Sequence, residues 1–209
     1  MTRSHLRAPL LVLTLVLVGA GCDGERSDAG TPSASAAEVR TPVHVDSILP
    51  MEEEIRRFRA DLPLVTGLNG GAESSEELVD AVVAALEAAD TTGLVSLALT
   101  PSEFAWVYFP HTIYTSPPYE LSPALVWFHQ QNRSSRGLSR LLRRYSGETL
   151  YAAGHRCPDE GEAFGDGWIW HGCAVLGELP TGESVEERLF GSILEWEGRY
   201  KLVSFSNEF

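Results

Sequence analysis

Residues 188–206 read Arg188-Leu-Phe-Gly-Ser-Ile-Leu-Glu-Trp196, then Glu197-Gly198, then Arg199-Tyr-Lys-Leu-Val-Ser-Phe-Ser206, and this stretch decides the fold. Polar and apolar residues alternate on both sides of the central pair, as they do in strands that bury one face. A two-residue link that ends in glycine is typical of a tight β-hairpin. The chain is therefore predicted to end in an antiparallel hairpin.

The same alternation extends upstream and predicts an antiparallel sheet between Glu148 and Asn207. Clusters of turn residues at 158–167 and 179–182 divide it into strands. The strands are predicted at 149–157, 168–178, 185–196 and 199–206.

Helices are predicted before this sheet, where apolar residues at helical spacing follow capping signals such as Ser74 with Glu77 and Thr100 with Glu103. The predicted helices cover about 50–58, 74–90, 100–107, 122–131 and 135–145, and the aromatic, proline-rich stretch 108–121 is predicted to be an ordered surface loop. Helices followed by strands indicate an α+β domain, with the N-terminal helices packed on the C-terminal sheet.

The N-terminus has the features of an export signal. Arg3 and Arg7 precede an apolar run from Ala8 to Val18, which is too short to span a membrane as a helix. The run ends in Gly19-Ala20-Gly21-Cys22, which resembles the bacterial lipoprotein signal, in which the cysteine is acylated and becomes the new N-terminus. Gly19 stands where that family usually has leucine. A plain secretory signal with an incidental cysteine and an uncleaved anchor are the alternatives that the sequence leaves open.

Residues 23–46 are rich in small, polar and charged residues and hold scarcely a large apolar side chain, which is typical of an unstructured tether. The predicted organisation is a lipoprotein signal peptide at 1–21, a tether at 22–46 and a single folded domain at 47–209. We expect this chain in the bacterial cell envelope. Acylated Cys22 would anchor it to the lipid bilayer, with the domain in the periplasm or at the cell surface.

The chain carries a formal net charge of −13, and loss of Arg3 and Arg7 with the signal peptide makes the mature chain more acidic still. A polyanion is a poor binder of nucleic acid or of anionic lipid. We therefore expect no nucleic-acid partner. Membrane attachment is expected to come from acyl chains rather than from a basic surface.

Cys157 and Cys173 are the only cysteines besides Cys22. In an exported protein they are expected to form a disulfide that pins the predicted sheet. Two reduced, buried cysteines remain an alternative. A redox or metal pair is a further one, although the chain has no Cys-x-x-Cys motif.

Two segments of the domain resemble a known superfamily. Ala84-Ala-Leu-Glu-Ala-Ala-Asp90-Thr-Thr-Gly-Leu94-Val-Ser-Leu97 resembles the first helical elbow of NTF2-like proteins, which include ketosteroid isomerase and the SnoaL-like polyketide cyclases, and Gly198-Arg-Tyr-Lys-Leu-Val-Ser204 resembles their last strands. The resemblance implies a strongly curved antiparallel sheet in a cone-shaped roll, a pocket between sheet and helices, and a capping role for Asp90. That fold hosts catalysts, carriers and binding modules alike.

His155 and His171 are the candidates for acid-base chemistry, because they lie on neighbouring predicted strands and could also bind a metal together with Asp166. If the two strand cysteines face each other, however, antiparallel pairing puts His155 opposite about Val175 and well away from His171 along the ladder. The favoured interpretation is two sheet histidines with structural roles.

Two charged clusters have both a structural and a functional interpretation. An acidic loop lacks the EF-hand spacing of a calcium site and is expected to be a solvated turn; it holds Asp159, Glu160, Glu162 and Asp166. An arginine row could hold phosphate or carboxylate, although a solvated helix face paired with nearby acids is the favoured interpretation. The row consists of Arg133, Arg136, Arg140, Arg143 and Arg144.

Aromatic residues are the candidates for ligand contacts, because aromatic side chains with a polar edge often line pockets for sugars and other flat ligands. The predicted ligand-binding residues are Trp106, Tyr108, Tyr114, Tyr119, Trp168 and Trp170. Core packing is the alternative, and it is favoured for the helical residues Trp106 and Trp127.

The sequence contains no Gly-x-Ser-x-Gly, Ser-x-x-Lys, His-Glu-x-x-His, P-loop or dinucleotide motif. We therefore expect no cofactor and no metal, and a non-catalytic domain that binds a small molecule or an envelope protein. The alternative is a SnoaL-like enzyme that performs acid-base chemistry on a small apolar substrate, with His155 or His171 as the base. A structural or assembly lipoprotein is a third hypothesis.

Overall fold

The computed structural model describes residues 49–207, and helices occupy the first part of this range. They are α1 (Met51–Arg59), α2 (Ser75–Glu87), α3 (Thr91–Ser96), α4 (Pro101–Glu103) and α5 (Pro123–Tyr145), with a π-helical turn (Phe104–Tyr108) and two 3-10 turns (Phe109–His111 and Ile113–Thr115) between α4 and α5. None of the helices in this range is long and apolar enough to cross a membrane. The predicted signal peptide, tether and Cys22 lie outside the described residues.

Seven short strands follow the helices in the described chain. They are β1 (Ala152–Arg156), β2 (Glu162–Phe164), β3 (Gly167–Trp170), β4 (Ala174–Glu178), β5 (Ser184–Glu187), β6 (Ile193–Trp196) and β7 (Arg199–Leu202). One antiparallel sheet has the order β1-β4-β5, and the other has the order β2-β3-β6-β7. The predicted α+β class, with helices followed by antiparallel strands, is confirmed.

The prediction of one sheet with four long strands is wrong. Predicted strands 168–178 and 185–196 are each interrupted, and at both places the chain crosses from one sheet to the other. Gly172 has a φ of +74°, a left-handed conformation that ends the first ladder. At the second interruption Leu189 and Phe190 are buried in the core instead of continuing a strand.

The terminal hairpin forms as predicted. β6 pairs with β7 so that Trp196 faces Arg199. The two turn residues, Glu197 and Gly198, have φ values of 51° and 75°, and positive φ at both positions is what a type I′ hairpin turn requires. The Gly198 amide also donates a hydrogen bond of 2.7 Å to the Glu195 carboxylate. A local signal therefore specifies this turn.

The predicted helix caps are present, with one change of partner. Thr100 and Glu103 form a complete capping box at the start of α4. At α2 the Ser74 hydroxyl accepts from the Glu77 amide at 3.1 Å. The Glu77 carboxylate accepts from the amide of Glu73, at 2.6 Å, rather than from that of Ser74.

Residues 123–145 form one helix rather than the two predicted helices. α5 continues through Asn132, whose side chain donates back to the Phe128 carbonyl at 3.0 Å. It also continues through Gly137, where an added Cβ would lie 1.6 Å from the Phe205 carbonyl oxygen. The glycine permits close packing of α5 on the C-terminal segment, and this tertiary contact outweighs its weak helix propensity.

Cys157 and Cys173 form the predicted disulfide, with sulfur atoms 2.01 Å apart. Cys157 follows β1 and Cys173 precedes β4, and in the ladder between these strands His155 faces Val175, as predicted. Cys173 is fully buried. The alternative of two reduced cysteines is therefore wrong.

The predicted apolar helix faces form the core. Leu78, Val82 and Leu86 of α2 and Leu141 of α5 are fully buried against residues of the sheets. The first helix packs its predicted apolar stripe against a separate cluster that contains Phe104. Burial of these faces, rather than helix propensity, supplies most of the stability of such short helices.

Candidate functional site

A cleft of about 360 Å³ lies beside α5, where the loop before this helix and the segment after β7 meet it. It is lined by Tyr108, Tyr114, Leu121, Val126, His129, Gln130, Arg133, Val203, Ser204 and Ser206. Its walls combine apolar side chains with hydroxyl, amide, imidazole and guanidinium groups, a composition typical of ligand sites. We call it the α5 cleft.

Tyr108 reaches the α5 cleft from the π-helical turn, in which the Phe109 amide donates to the Phe104 carbonyl. Single π-helical turns are frequent at functional sites. The Tyr108 ring stacks on Phe164, with ring centroids 5.0 Å apart. Burial, with a smaller contribution from Tyr114, raises the pKa of Tyr108 to about 12. The phenol is therefore protonated at neutral pH and able to donate a hydrogen bond.

Tyr114 lies in a loop that its own hydrogen bonds organise. The Thr112 hydroxyl donates to the Phe109 carbonyl at 2.8 Å. The Leu121 amide donates to the Tyr114 carbonyl at 3.0 Å and closes the loop on itself. Tyr114 and Leu121 are thus placed together before a ligand binds, which lowers the entropic cost of binding.

The segment after β7 forms another wall, and α5 holds it in place. The Gln130 side-chain amide donates to the Val203 carbonyl at 2.9 Å. The Phe205 amide donates to the Ser134 hydroxyl at 3.0 Å. Ser204 lies between these two anchored positions and is itself buried. These two hydrogen bonds attach this wall to α5.

His129 and Arg133 contribute the basic groups of the α5 cleft. Both are exposed on α5, and their spacing of four residues places them on the same helix face. Within the described chain, no carboxylate lines this cleft. Arg133 therefore presents an uncompensated positive charge to a bound molecule.

Tyr108 and Tyr114 are the two predicted ligand-binding residues that line the α5 cleft. Trp106 instead lies against the Arg59 guanidinium, whose central carbon is 4.1 Å from the ring centroid. Tyr119 is 58% exposed in the loop before α5. Neither Trp106 nor Tyr119 is among the residues that line the cleft.

The two predicted ligand-binding tryptophans of the strands lie on β3. Trp168 is 48% exposed, and Trp170 stacks with Tyr200 at a centroid distance of 6.3 Å. The fold does not bring either of them to the α5 cleft. Trp127 packs on Phe104, with centroids 4.9 Å apart, so the core role favoured for it is confirmed.

His155 and His171 do not converge. His155 lies on β1 of the three-stranded sheet. His171 follows β3 of the other sheet, with Nδ1 2.6 Å from the Ser192 hydroxyl and Nε2 3.6 Å from a Glu162 carboxylate oxygen. Neither histidine lines the α5 cleft. Across residues 49–207, no group of three His, Cys, Asp or Glu side chains is placed to hold a metal ion.

The arginine row is only partly paired with acids. Arg144 forms an ion pair with Glu187 at 3.0 Å. Arg140 donates to the side-chain and backbone oxygens of Asn207, at 2.8 and 2.9 Å, and this partner is neutral. The other three members form no ion pair with any residue that the structure describes. Pairing with nearby acids, the favoured interpretation, thus applies to Arg144 and not to the rest of the row.

A second recess, of about 270 Å³, lies between the end of α5 and the three-stranded sheet. Apolar residues such as Leu150 and Val175 line it together with Arg144 and Glu187. These two charged residues already bind each other, at 3.0 Å. The α5 cleft offers more polar groups to a ligand and is therefore the better candidate site.

Sequence reasoning missed four polar residues of the α5 cleft, namely His129, Gln130, Ser204 and Ser206. The spacing of His129 and Arg133 is one signal that identifies a shared helix face. For the serines the sequence offers no such signal, because only the packing of the C-terminal segment on α5 brings them to the cleft.

No family model, curated protein or solved structure matches this chain.

Proposed function

We propose that this chain is a membrane-tethered envelope lipoprotein whose NTF2-like domain binds a small ligand without catalysing a reaction. The observation that carries the proposal is the α5 cleft, whose apolar and hydrogen-bonding walls are held in place by the protein's own hydrogen bonds. A preformed concave site of this composition is typical of small-molecule binding. The ligand enters a site that needs little reordering.

Three features support the NTF2-like fold. Helices precede the antiparallel sheets, in the order that the resemblance implies. Asp90 caps α3 by accepting from the Gly93 amide at 2.8 Å, within the helical elbow on which the resemblance depends. The α5 cleft lies beside a helix and the end of the last strand, as a pocket between helices and sheet does.

His155 and His171, the bases that the enzyme hypothesis names, lie away from the α5 cleft, and the histidine that lines it is His129. The enzyme hypothesis takes His155 or His171 as its base, and a base has to lie within hydrogen-bond reach of the substrate. His155 is on the three-stranded sheet, which does not contain β7, and His171 contacts Ser192 outside the α5 cleft. The named bases are therefore not where the substrate would be.

Native mass spectrometry of the protein purified from its own envelope tests the ligand proposal. We expect a non-covalent adduct in the small-molecule range. Tyr114→Ala removes one aromatic wall and is expected to lower the occupancy about tenfold. Trp168→Ala is the matched control, because it removes an exposed aromatic ring outside the cleft, and it should leave the adduct unchanged.

Two results would contradict this proposal. The first is an adduct retained equally by wild type and Tyr114→Ala, which would put the ligand outside the α5 cleft. The second is wild-type protein that carries no adduct and binds no added apolar probe.

Intact-mass measurement of the membrane-extracted protein tests the anchor separately. We expect a chain that begins at Cys22 and carries a lipid on that residue, because a small-residue cleavage site precedes it. Cys22→Ser is expected to abolish the lipid mass, because the acyl chains are attached to this cysteine. Recovery of the wild-type chain as an unmodified soluble protein would end the lipoprotein proposal.

A further inference from the structure

We propose that the ligand of the α5 cleft is an anionic amphiphile, whose acidic group binds Arg133 and Arg136 and whose apolar body lies against the tyrosines. This inference rests on the proposed function and names the chemical class of its ligand. The acidic group is a carboxylate or a phosphate, because both match the planar, multiply donating guanidinium group.

Basic side chains recur at regular intervals along α5. His129 and four arginines follow one another at intervals of four, three, four and three residues, at positions 129, 133, 136, 140 and 143. This spacing keeps them on one side of a helix. They form a stripe about 21 Å long at 1.5 Å per residue. The stripe begins in the α5 cleft and continues beyond it along the helix.

The arginines of the stripe have no acidic partner among residues 49–207. Arg140 is held by Asn207, and Asn207 is fixed in turn because its side-chain amide donates to the carbonyls of Gly137 and Leu189, at 3.3 and 3.0 Å. Asn207 orients the guanidinium without neutralising it. Arg133, Arg136 and Arg143 form no ion pair within residues 49–207.

The basic stripe stands out on a chain whose net charge is negative. The chain has 29 acidic residues against 16 basic ones, so acids are abundant, yet within the described chain none lines the α5 cleft or the adjoining part of the stripe. A positive strip on an acidic protein attracts an anion at short range, whereas the negative net charge disfavours extended polyanions. A small acid fits these charges better than a nucleic acid or a lipid surface does.

The α5 cleft also has apolar walls. Val126 and Val203 are buried in the walls of the α5 cleft, and Tyr108 and Tyr114 present aromatic rings beside them. Such walls favour an apolar or aromatic body and offer little to a free inorganic ion. The site therefore suits a molecule with one acidic end and one apolar end.

Two fluorescent probes that share an aromatic body separate charge from apolar contact. 8-Anilinonaphthalene-1-sulfonate is an anion, and N-phenyl-1-naphthylamine is its neutral counterpart. Both are titrated into the mature chain that begins at residue 22 with Cys22→Ser, so that no detergent is needed. We expect the anion to bind about tenfold more tightly than the neutral probe, and added salt to reduce that difference.

Variants assign the effect to named residues. Arg133→Gln is expected to weaken binding of the anionic probe about tenfold and to leave the neutral probe unchanged. Tyr114→Ala should weaken both probes. Arg57→Gln, which changes an exposed arginine of α1, is the matched control and should change neither. Displacement of the anionic probe by decanoate and by decyl phosphate, with decanol as the neutral control, distinguishes a carboxylate from a phosphate ligand.

Each contrary result has a separate meaning. Equal binding of both probes, insensitive to Arg133→Gln but lost in Tyr114→Ala, would overturn the anionic ligand and leave the proposed function standing. Binding of the anion that persists in Tyr114→Ala but is weakened in Arg143→Gln would overturn the amphiphile in favour of a plain surface anion site. If neither probe binds, both the inference and the proposed function are overturned.

Discussion

Lys201→Met is expected to lower the free energy of unfolding by about 3–5 kcal/mol, because it leaves the Glu103 carboxylate as an uncompensated buried charge. In the folded chain the Lys201 ammonium lies 2.9 and 3.1 Å from the two carboxylate oxygens. The side chains of Lys201 and Glu103 are 2% and 0% exposed. Water cannot replace the lost partner at such a site.

The Glu103 carboxylate also joins three segments of the fold. It accepts from the amides of Asn69 and Thr100, both at 2.7 Å, as well as from Lys201. The capping box of α4, the loop before α2 and strand β7 therefore meet at one carboxylate. Glu103→Gln combined with Lys201→Met is expected to recover part of the lost free energy of unfolding. The double change removes the buried charge, and the glutamine side-chain oxygen can still accept a hydrogen bond from a backbone amide.

Urea unfolding followed by tryptophan fluorescence measures the effect. Arg199→Met is the matched control on the same strand, because Arg199 pairs with Glu73 at 3.3 Å at the surface, and its loss is expected to cost less than about 1 kcal/mol. A similar loss in Lys201→Met and Arg199→Met would show that the buried pair contributes no more than an exposed one.

Amine chemistry provides an independent measurement of the same pair. Lys201 is the only lysine in the sequence, so peptide mapping after treatment with an acylating reagent reports on a single side chain. We expect Lys201 to react only when the domain unfolds. Rapid acylation under native conditions would contradict its burial.

Replacing Cys157 and Cys173 together by alanine is expected to lower the free energy of unfolding by about 3 kcal/mol. The two cysteines are 16 residues apart in sequence, and the bond restricts the unfolded chain by closing that loop. Chemical unfolding with and without reductant measures the effect. Reduced wild type should approach the double variant, and the double variant itself should not respond to reductant.

An unfolding midpoint of wild type that reductant does not change would contradict this prediction.

The disulfide lies at the ends of β1 and β4, in the sheet that does not contain β7, and the α5 cleft is built from α5 and the segment after β7. Probe binding by the double variant is therefore expected to persist under conditions in which the variant remains folded. That measurement separates a stabilising bond from a functional one.

The sequence by itself determined the features that a few neighbouring residues specify. Local backbone preferences predict the Glu197-Gly198 turn and the capping box of Thr100 with Glu103. Apolar periodicity predicts the buried face of α2. The pairing of Cys157 with Cys173 was predicted because they are the only cysteines besides Cys22, and the structure contains this disulfide.

Only the tertiary structure decided which distant segments meet. It divided the predicted strands between two sheets, joined two predicted helices into α5, and brought Tyr108, His129 and Ser204 to one cleft. Which distant segments pack together depends on which of their surfaces exclude water from each other. Residues far apart in sequence share no local pattern that would predict this packing. The burial of Lys201 against Glu103 is the clearest case, since a lysine on an alternating strand ordinarily faces solvent.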